Sequence, residues 1–326
     1  MTTTIGRTKI SQTSVNKAAH NNPQAFMHDC DQRYEKHIGE IVRQIAEDTD
    51  KSKIILLSGP SASGKTTTSF KIEQGLERLG INAVTISMDD FFMPRELTPM
   101  LPDGSRDYES LEALNLPLLK SLLSQLITEG RAELPSFNFK LGRCIDKTTT
   151  VELRDGSVAV MEGLHALDTA VTGGLPDGHM LKLYVSVSSD FESDSGETVL
   201  TAREARLIRR MIRDYHFRGS SPENTLDMWN AVCHGEDKYI RPFKIYADKT
   251  VNSVFKCEPC LLAESAIKLF GTIGMGSRHF ETARHMISAL GGFEQMPLEI
   301  IPGSCMLREF IGGSDYYNKS SIHRTV

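Results

Sequence analysis

The sequence predicts an α/β protein, a parallel sheet with helices on both faces. Apolar β-rich runs alternate along the chain with stretches of helical period, the order in which parallel strands are joined through crossover helices. The first such run, Ile54-Ile-Leu-Leu57, leads straight into a glycine-containing loop and then a helix. A later run, Val158-Ala-Val-Met161, is continuously apolar, as a strand buried on both faces must be.

The elements follow in order. Residues 1–22 are rich in Thr, Ser, Asn and Lys and read as a disordered N-terminal tail. From Pro23 to about Glu47, within a segment 23–50, Phe26, Cys30, Tyr34, Ile38, Ile41 and Ile45 recur every three or four residues. They predict an amphipathic helix that packs on the main domain or on a partner subunit, which leaves a homo-oligomer open. The main domain runs over 51–257. Its first helix spans Thr66 to Leu79, with Gly80 as the stop. A second strand, Asn82 to Ile86, ends in Ser87-Met-Asp-Asp-Phe-Phe92. Pro117 to Ile127 is a leucine-rich helix closed by Gly130, and 132–156 read as short strands and turns. Leu181, Leu183, Val185 and Val187 alternate along another strand. A helix bearing Arg203, Arg206, Arg209, Arg210 and Arg213 follows, then one begun by Ser221-Pro222. Thr250 to Phe255 supplies the last strand, and 258–326 form a helical C-terminal extension with helices near 260–270 and 278–290.

Bulk properties exclude some classes. A net charge of −5 gives no reason to expect a nucleic-acid partner or an anionic membrane surface. No apolar run has the length of a membrane span, and Met1 to Asn22 lacks a signal-peptide core. Scattered cysteines suit a reducing cytoplasm, and Cys257-x-x-Cys260 has no second ligand pair nearby, so both read as ordinary buried thiols.

The chemistry begins at Gly59-Pro-Ser-Ala-Ser-Gly-Lys-Thr66, which fits G-x-x-x-x-G-K-[ST]. In such a loop Gly59, Ser61, Ala62, Ser63, Gly64, Lys65, Thr66 and Thr67 surround the phosphates of a nucleoside triphosphate. Lys65 reaches the outer oxygens, and Thr66 offers a hydroxyl to Mg²⁺. A helix N-terminus directly after the loop adds its positive end. A hard metal needs a further oxygen, and Glu162, at the carboxyl end of an apolar strand, is the candidate. Asp89 and Asp90 also follow a strand end. One of the two can take a proton from a substrate hydroxyl and touch Mg²⁺, directly or through water. Arg206, Arg209, Arg210 and Arg213, three and four apart with few acids close in sequence, predict a mobile lid that closes over the phosphates. His165 and His216 read as structural.

Together these stretches resemble the uridine kinase / phosphoribulokinase family of P-loop kinases. The resemblance covers about 53–256 and rests on Gly59 to Thr66, Ser87 to Phe92, Asp107-Tyr-Glu-Ser-Leu-Glu-Ala113, Val158 to Gly163, and Arg206 to Asp214 with Arg218-Gly219. Ala247-Asp248 also fits. The tail Leu307-Arg-Glu-Phe-Ile-Gly-Gly-Ser314 looks like that of a longer bacterial-type nucleoside kinase branch. The resemblance implies a P-loop kinase fold, ATP and Mg²⁺, Asp89 as catalytic base and metal partner, and Glu162 as metal carboxylate. It further implies Asp107 on the ribose hydroxyls, Arg206, Arg209, Arg210 and Arg213 as lid arginines, and Arg218 near the acceptor. Phe137-Asn-Phe-Lys-Leu-Gly-Arg143 departs from the family's base-recognition stretch, lacking its tyrosine, aspartate and histidine. Phe137 can still stack on a base and Arg143 is in reach. The acceptor is therefore expected to be nucleoside-like, with uridine or cytidine among the candidates. Two rivals are a kinase for another hydroxyl acceptor, such as a sugar phosphate or a pantothenate-like acid, and a nucleotide-dependent switch without transfer activity. Neither an Asn-Lys-x-Asp guanine motif nor a transporter Ser-Gly-Gly signature is present.

Overall fold

The computed structural model describes residues 8–49, 53–101, 104, 106–138, 141–154, 156–173 and 179–316. Strand β1 (Thr8–Ser11) is followed by α1 (Gln12–Asn21) and the long α2 (Pro23–Glu47), each capped by a side chain, Ser11 and Asn22. This corrects the expectation of a disordered tail for residues 8–22, and residues 1–7 lie outside the described residues. The few apolar residues there are spaced to face inward: Ile10, Val15 and Ala19 are buried, and β1 pairs with a strand near residue 190. Low average hydrophobicity concealed three well-placed apolar contacts.

Strand β2 (Ile54–Ser58), α3 (Lys65–Arg78) and β3 (Ala83–Ser87) come next, then α4 (Leu116–Glu129), which ends on Gly130 in the left-handed region. The stretch read as short strands is one long antiparallel hairpin, β4 (Arg131–Asn138) and β5 (Arg143–Glu152). Its register shifts between Leu134 and Ser136, where Pro135 has no N–H to give the ladder. The remaining elements are β6 (Val158–Glu162), the single turn α5 (Thr169–Thr172), β7 (Met180–Ser186), β8 (Ser189–Glu192), β9 (Thr198–Leu200), α6 (Ala202–Arg218), α7 (Pro222–Gly235), β10 (Lys249–Asn252), α8 (Glu258–Phe270), α9 (Phe280–Gly291) and the short α10 (Arg308–Ile311).

The central sheet is parallel, in the order β10-β7-β2-β6-β3. Alternate residues of β2 enter two different cores. Ile55 and Leu57 pack with α2, α6, α8 and the C-terminal segment, and Ile54 and Leu56 with α4 and the hairpin. The C-terminal extension is thus not an outlying lobe. Phe270, Met306 and Phe310 are fully buried in the same core as β2. Register aligns Leu57 with Glu162 and Ser87 with Glu162, so the carboxyl ends of β2, β6 and β3 meet where the glycine loop begins. Crossover connections leave that edge open, which is where open α/β sheets gather ligands.

Candidate active site

The loop between β2 and α3 is shaped by close approach. A Cβ on Gly59 would lie 2.0 Å from the Val185 carbonyl oxygen, so only glycine lets the chain pass β7. Gly64, the residue before α3, has φ 89°, and a Cβ there would meet Met306 Sδ at 2.7 Å. Pro60 O accepts from Ser63 N at 3.2 Å and from Lys65 Nζ at 3.2 Å, folding the loop back on itself. Ser63 Oγ is buried without a protein partner, an unpaired hydroxyl that a phosphate oxygen would satisfy. Burial pushes the Lys65 ammonium below its ordinary range, and the carboxylates of Glu162, Asp89, Glu309 and Glu109 pull it back up. The lysine therefore feels the charge of four acids, two of them the candidates Glu162 and Asp89.

Glu162 is buried and accepts from Ser87 Oγ at 3.0 Å. Thr66 occupies the first turn of α3. Among the described residues no three His, Cys, Asp or Glu side chains are grouped to hold a metal by themselves. Mg²⁺ takes one or two protein oxygens and completes its shell from phosphates and water, so Thr66 and Glu162 would be enough to hold it. Asp89 and Asp90 part company. Asp90 Oδ1 accepts from Phe137 N at 3.2 Å, tying β3 to the hairpin, whereas the charge of Asp89 acts on Lys65 and favours its protonated form.

The arginine helix is the largest difference from expectation. Arg206, Arg209 and Arg210 of α6 are buried, and α6 packs against α7, α8 and α10 rather than standing off as a mobile lid. Their acids come from elsewhere in the chain. Arg206 pairs with Glu236 and donates to Ser61 O at 3.1 Å. Arg209, fully buried, makes a two-pronged pair with Glu258 at 2.5 and 2.6 Å, donates to Ala62 O at 3.3 Å, and lies 5.1 Å from the Phe310 ring. Arg209 is consequently a strut under the phosphate loop, not a group free to reach a moving phosphoryl, and its placement among catalytic residues is corrected. Arg210 donates to Ser61 Oγ at 2.9 Å and meets Asp214 at 3.2 Å, and Arg213 meets Asp214 at 2.7 Å. Burial pushes Asp214 up, but the charges of Arg213, Arg218 and Arg210 outweigh it and hold the carboxyl below its usual range. Arg218, half exposed at the end of α6, is held down to about 10 by the charge of Arg213 beside it and remains a cation near Asp89.

Across from the loop, Asp107 is buried and accepts from Tyr239 OH at 3.1 Å and from Glu109 N at 3.2 Å. Burial raises the Glu109 carboxyl to about 7 against the pull of Arg210 and Lys65, and its Oε2 has no partner. His165 is buried, edge-on to Tyr239, with an unpartnered Nδ1. Burial pushes it down to about 4, so it is neutral. Phe137 packs on Phe92 with ring centroids 5.8 Å apart, and Arg143 is exposed at the hairpin end. Phe139 and Lys140 lie outside the described residues.

The sequence also matches known proteins. The profile of the Phosphoribulokinase / Uridine kinase family matches residues 54–258, more than half of the chain. The chain belongs to that family. A uridine kinase of Macrococcus caseolyticus is 28% identical over 199 residues, covering 61% of this chain and 86% of the relative. One from Deinococcus deserti is 27% identical over 210 residues, covering 64% and 91%. Among solved structures, a D-glycerate 3-kinase of Cryptococcus neoformans superposes with a TM-score of 0.47 at 15% identity, over 64% of this chain and 89% of that one. As a phosphoribulokinase / uridine kinase family member the protein is a small-molecule kinase, a phosphotransferase with an alcohol acceptor. The family implies ATP as donor and a divalent metal. The loop with its buried, unpaired Ser63 hydroxyl, Thr66 in the first turn of α3 and Glu162 at the end of β6 are the residues that fit them. No helix among the described residues is long and apolar enough to cross a membrane.

Several site residues escape sequence reasoning. Glu109 lies inside the Asp107–Ala113 stretch and Glu309 inside Leu307–Ser314, so both motifs were visible without the role of the acid. Tyr239, Glu236 and Glu258 carry no sequence signal at all. Thr67, expected on a phosphate, instead gives its N–H and its hydroxyl to Glu309, at 3.0 and 2.8 Å.

Proposed function

We propose that this kinase transfers the γ-phosphoryl of ATP to the 5′-hydroxyl of a nucleoside, in the cytoplasm and with Mg²⁺ as the metal. The observation that carries the reading is Asp89. It follows the end of β3 and its charge acts on Lys65, while its neighbour Asp90 is bound to the hairpin, so in this reading Asp89 is the carboxylate of the pair that serves the donor phosphates. Asp107, oriented by Tyr239 across the same space, is an acceptor of hydrogen bonds suited to sugar hydroxyls. In this reading Asp89 takes the hydroxyl proton, Lys65 and Arg210 neutralise the donor phosphates, and Thr66 and Glu162 would hold Mg²⁺, which would supply further positive charge to the phosphates. Phe137 lines the base side, with Arg143 and Arg218 at the rim. Six free thiols suit a reducing compartment.

The test is ADP release from ATP with a panel of nucleosides, sugar phosphates and pantothenate-like acids. A nucleoside as the best acceptor by kcat/KM supports the reading. Turnover with a sugar phosphate or an acid alone overturns the acceptor, and ATP binding without turnover on any acceptor would indicate a switch.

A further inference from the structure

Helix α3 carries the phosphate loop, and its polar side chains are held from outside the family-matched segment. Thr68 Oγ1 lies 2.6 Å from Tyr34 OH of α2. Lys71 pairs with Glu35 of α2 and lies 5.3 Å from the ring of Tyr316, which stacks on Phe70. Gly75 leaves room for Val42, whose side chain would meet a Cβ there at 2.7 Å. The contact nearest the phosphates is that of Glu309. This C-terminal carboxylate is buried, and its Oε2 accepts from both Thr67 N and Thr67 Oγ1.

The position of Thr67 gives that contact its meaning. The first amides of a helix have no partner within it. In α3 the Thr68 N–H already returns to Gly64 O at 3.0 Å, so Thr67 supplies the last unpaired amide of the turn. A charged acceptor is the stronger kind of cap, and this one also favours the protonated form of Lys65. Two residues of the same segment back the loop, Met306 directly beside Gly64 and Phe310 through Arg209, which holds Ala62 O.

We propose that Glu309 is a positioning residue of the nucleotide site. The C-terminal extension, through this carboxylate, fixes the first turn of α3, so that the loop residues up to Thr66 present their donors to the phosphates while Thr67 is withdrawn from them. The inference rests on the reading of Gly59–Thr66 as the ATP site.

Two measurements on the full chain test it: hydrogen exchange of the peptide 61–68 without nucleotide, and the Kd for ATP with Mg²⁺ by calorimetry, with Tm recorded for each variant. Glu309→Ala is expected to speed exchange in 61–68 and weaken ATP binding about tenfold, the worth of a lost charge-assisted hydrogen bond. Glu309→Gln keeps an acceptor at the same reach and is expected to stay within about threefold of the wild type. If Glu309→Ala does not fold, Glu309→Asp, which draws the carboxylate back by one bond, carries the same expectation. A lower Tm with exchange in 61–68 unchanged and ATP affinity within about twofold of wild type overturns the proposal, since a purely structural role predicts that result. Tighter ATP binding in Glu309→Ala overturns it as well. A wild type that fails to bind ATP breaks the nucleotide reading instead, and the exchange measurement then decides the role of Glu309.

Discussion

The donor side and the acceptor side of this site are built on opposite electrostatic plans. Around the phosphate loop the cations are committed in advance: Arg206 to Glu236, Arg209 to Glu258, Arg210 and Arg213 to Asp214, and each of the first three also touches the loop. On the acceptor side polar atoms are buried without partners, Glu109 Oε2 and His165 Nδ1 among them, beside an Asp107 held by one tyrosine. Buried polar atoms are nearly always satisfied in native proteins, so these two, like Ser63 Oγ in the loop, are positions that a bound molecule would satisfy. The contrast is between a loop braced by cations already paired within the protein and a facing surface where Glu109 and His165 each keep a polar atom unpaired.

Asp89 is where the comparison breaks most visibly. Asp89→Asn is expected to lower kcat by about 10²–10⁴-fold, the usual worth of a positioned general base, with ATP affinity nearly unchanged. Turnover near wild type in the purified variant would move the base elsewhere, Asp90 and Glu109 being next. Arg209 should behave in the opposite way. Arg209→Met leaves Glu258 charged and buried, at a cost of about 3–5 kcal/mol in urea unfolding, with activity per folded molecule falling far less than in Asp89→Asn. Adding Glu258→Leu should restore much of that stability. A large kcat loss in a stable Arg209→Met/Glu258→Leu protein would return this arginine to the chemistry.

Glu109 gives a smaller effect, with a sign that can be checked. Its carboxyl titrates near 7 in the folded protein and at the ordinary 4.5 in the unfolded chain. Between those values the native state holds more protons, so stability falls as pH rises from about 4.5 to 7 and then levels off, by about 3 kcal/mol at most. Glu109→Gln removes that loss. In nucleotide-free protein, Tm should drop more between pH 5 and pH 8 in the wild type than in the variant. Equal drops would mean that Glu109 is paired or hydrated in solution.

Much of the fold is legible without the structure because its signals are local. Gly59–Thr66 is a contiguous pattern whose glycines are required by backbone approach at Gly59 and by a left-handed φ at Gly64. The apolar runs at 54–57 and 158–161 announce strands buried on both faces, and Ser221 caps the helix that follows it. The tail misleads because order there depends on Ile10, Val15 and Ala19, too few to lift an average over 22 residues. The arginine stripe misleads for a related reason: three and four residue spacing tells which residues share a helix face, not what that face meets.

The sequence by itself determined the nucleotide loop, the strand-end acids and the alternation that builds a parallel sheet, since each is written in neighbouring residues. The tertiary structure decided the partners. Arg209 and Glu258 are 49 positions apart, and Thr67 and Glu309 are 242 apart. Contacts across such separations follow from how helices pack on a sheet, and only the packing distinguishes an arginine that holds the loop from one that could serve the reaction.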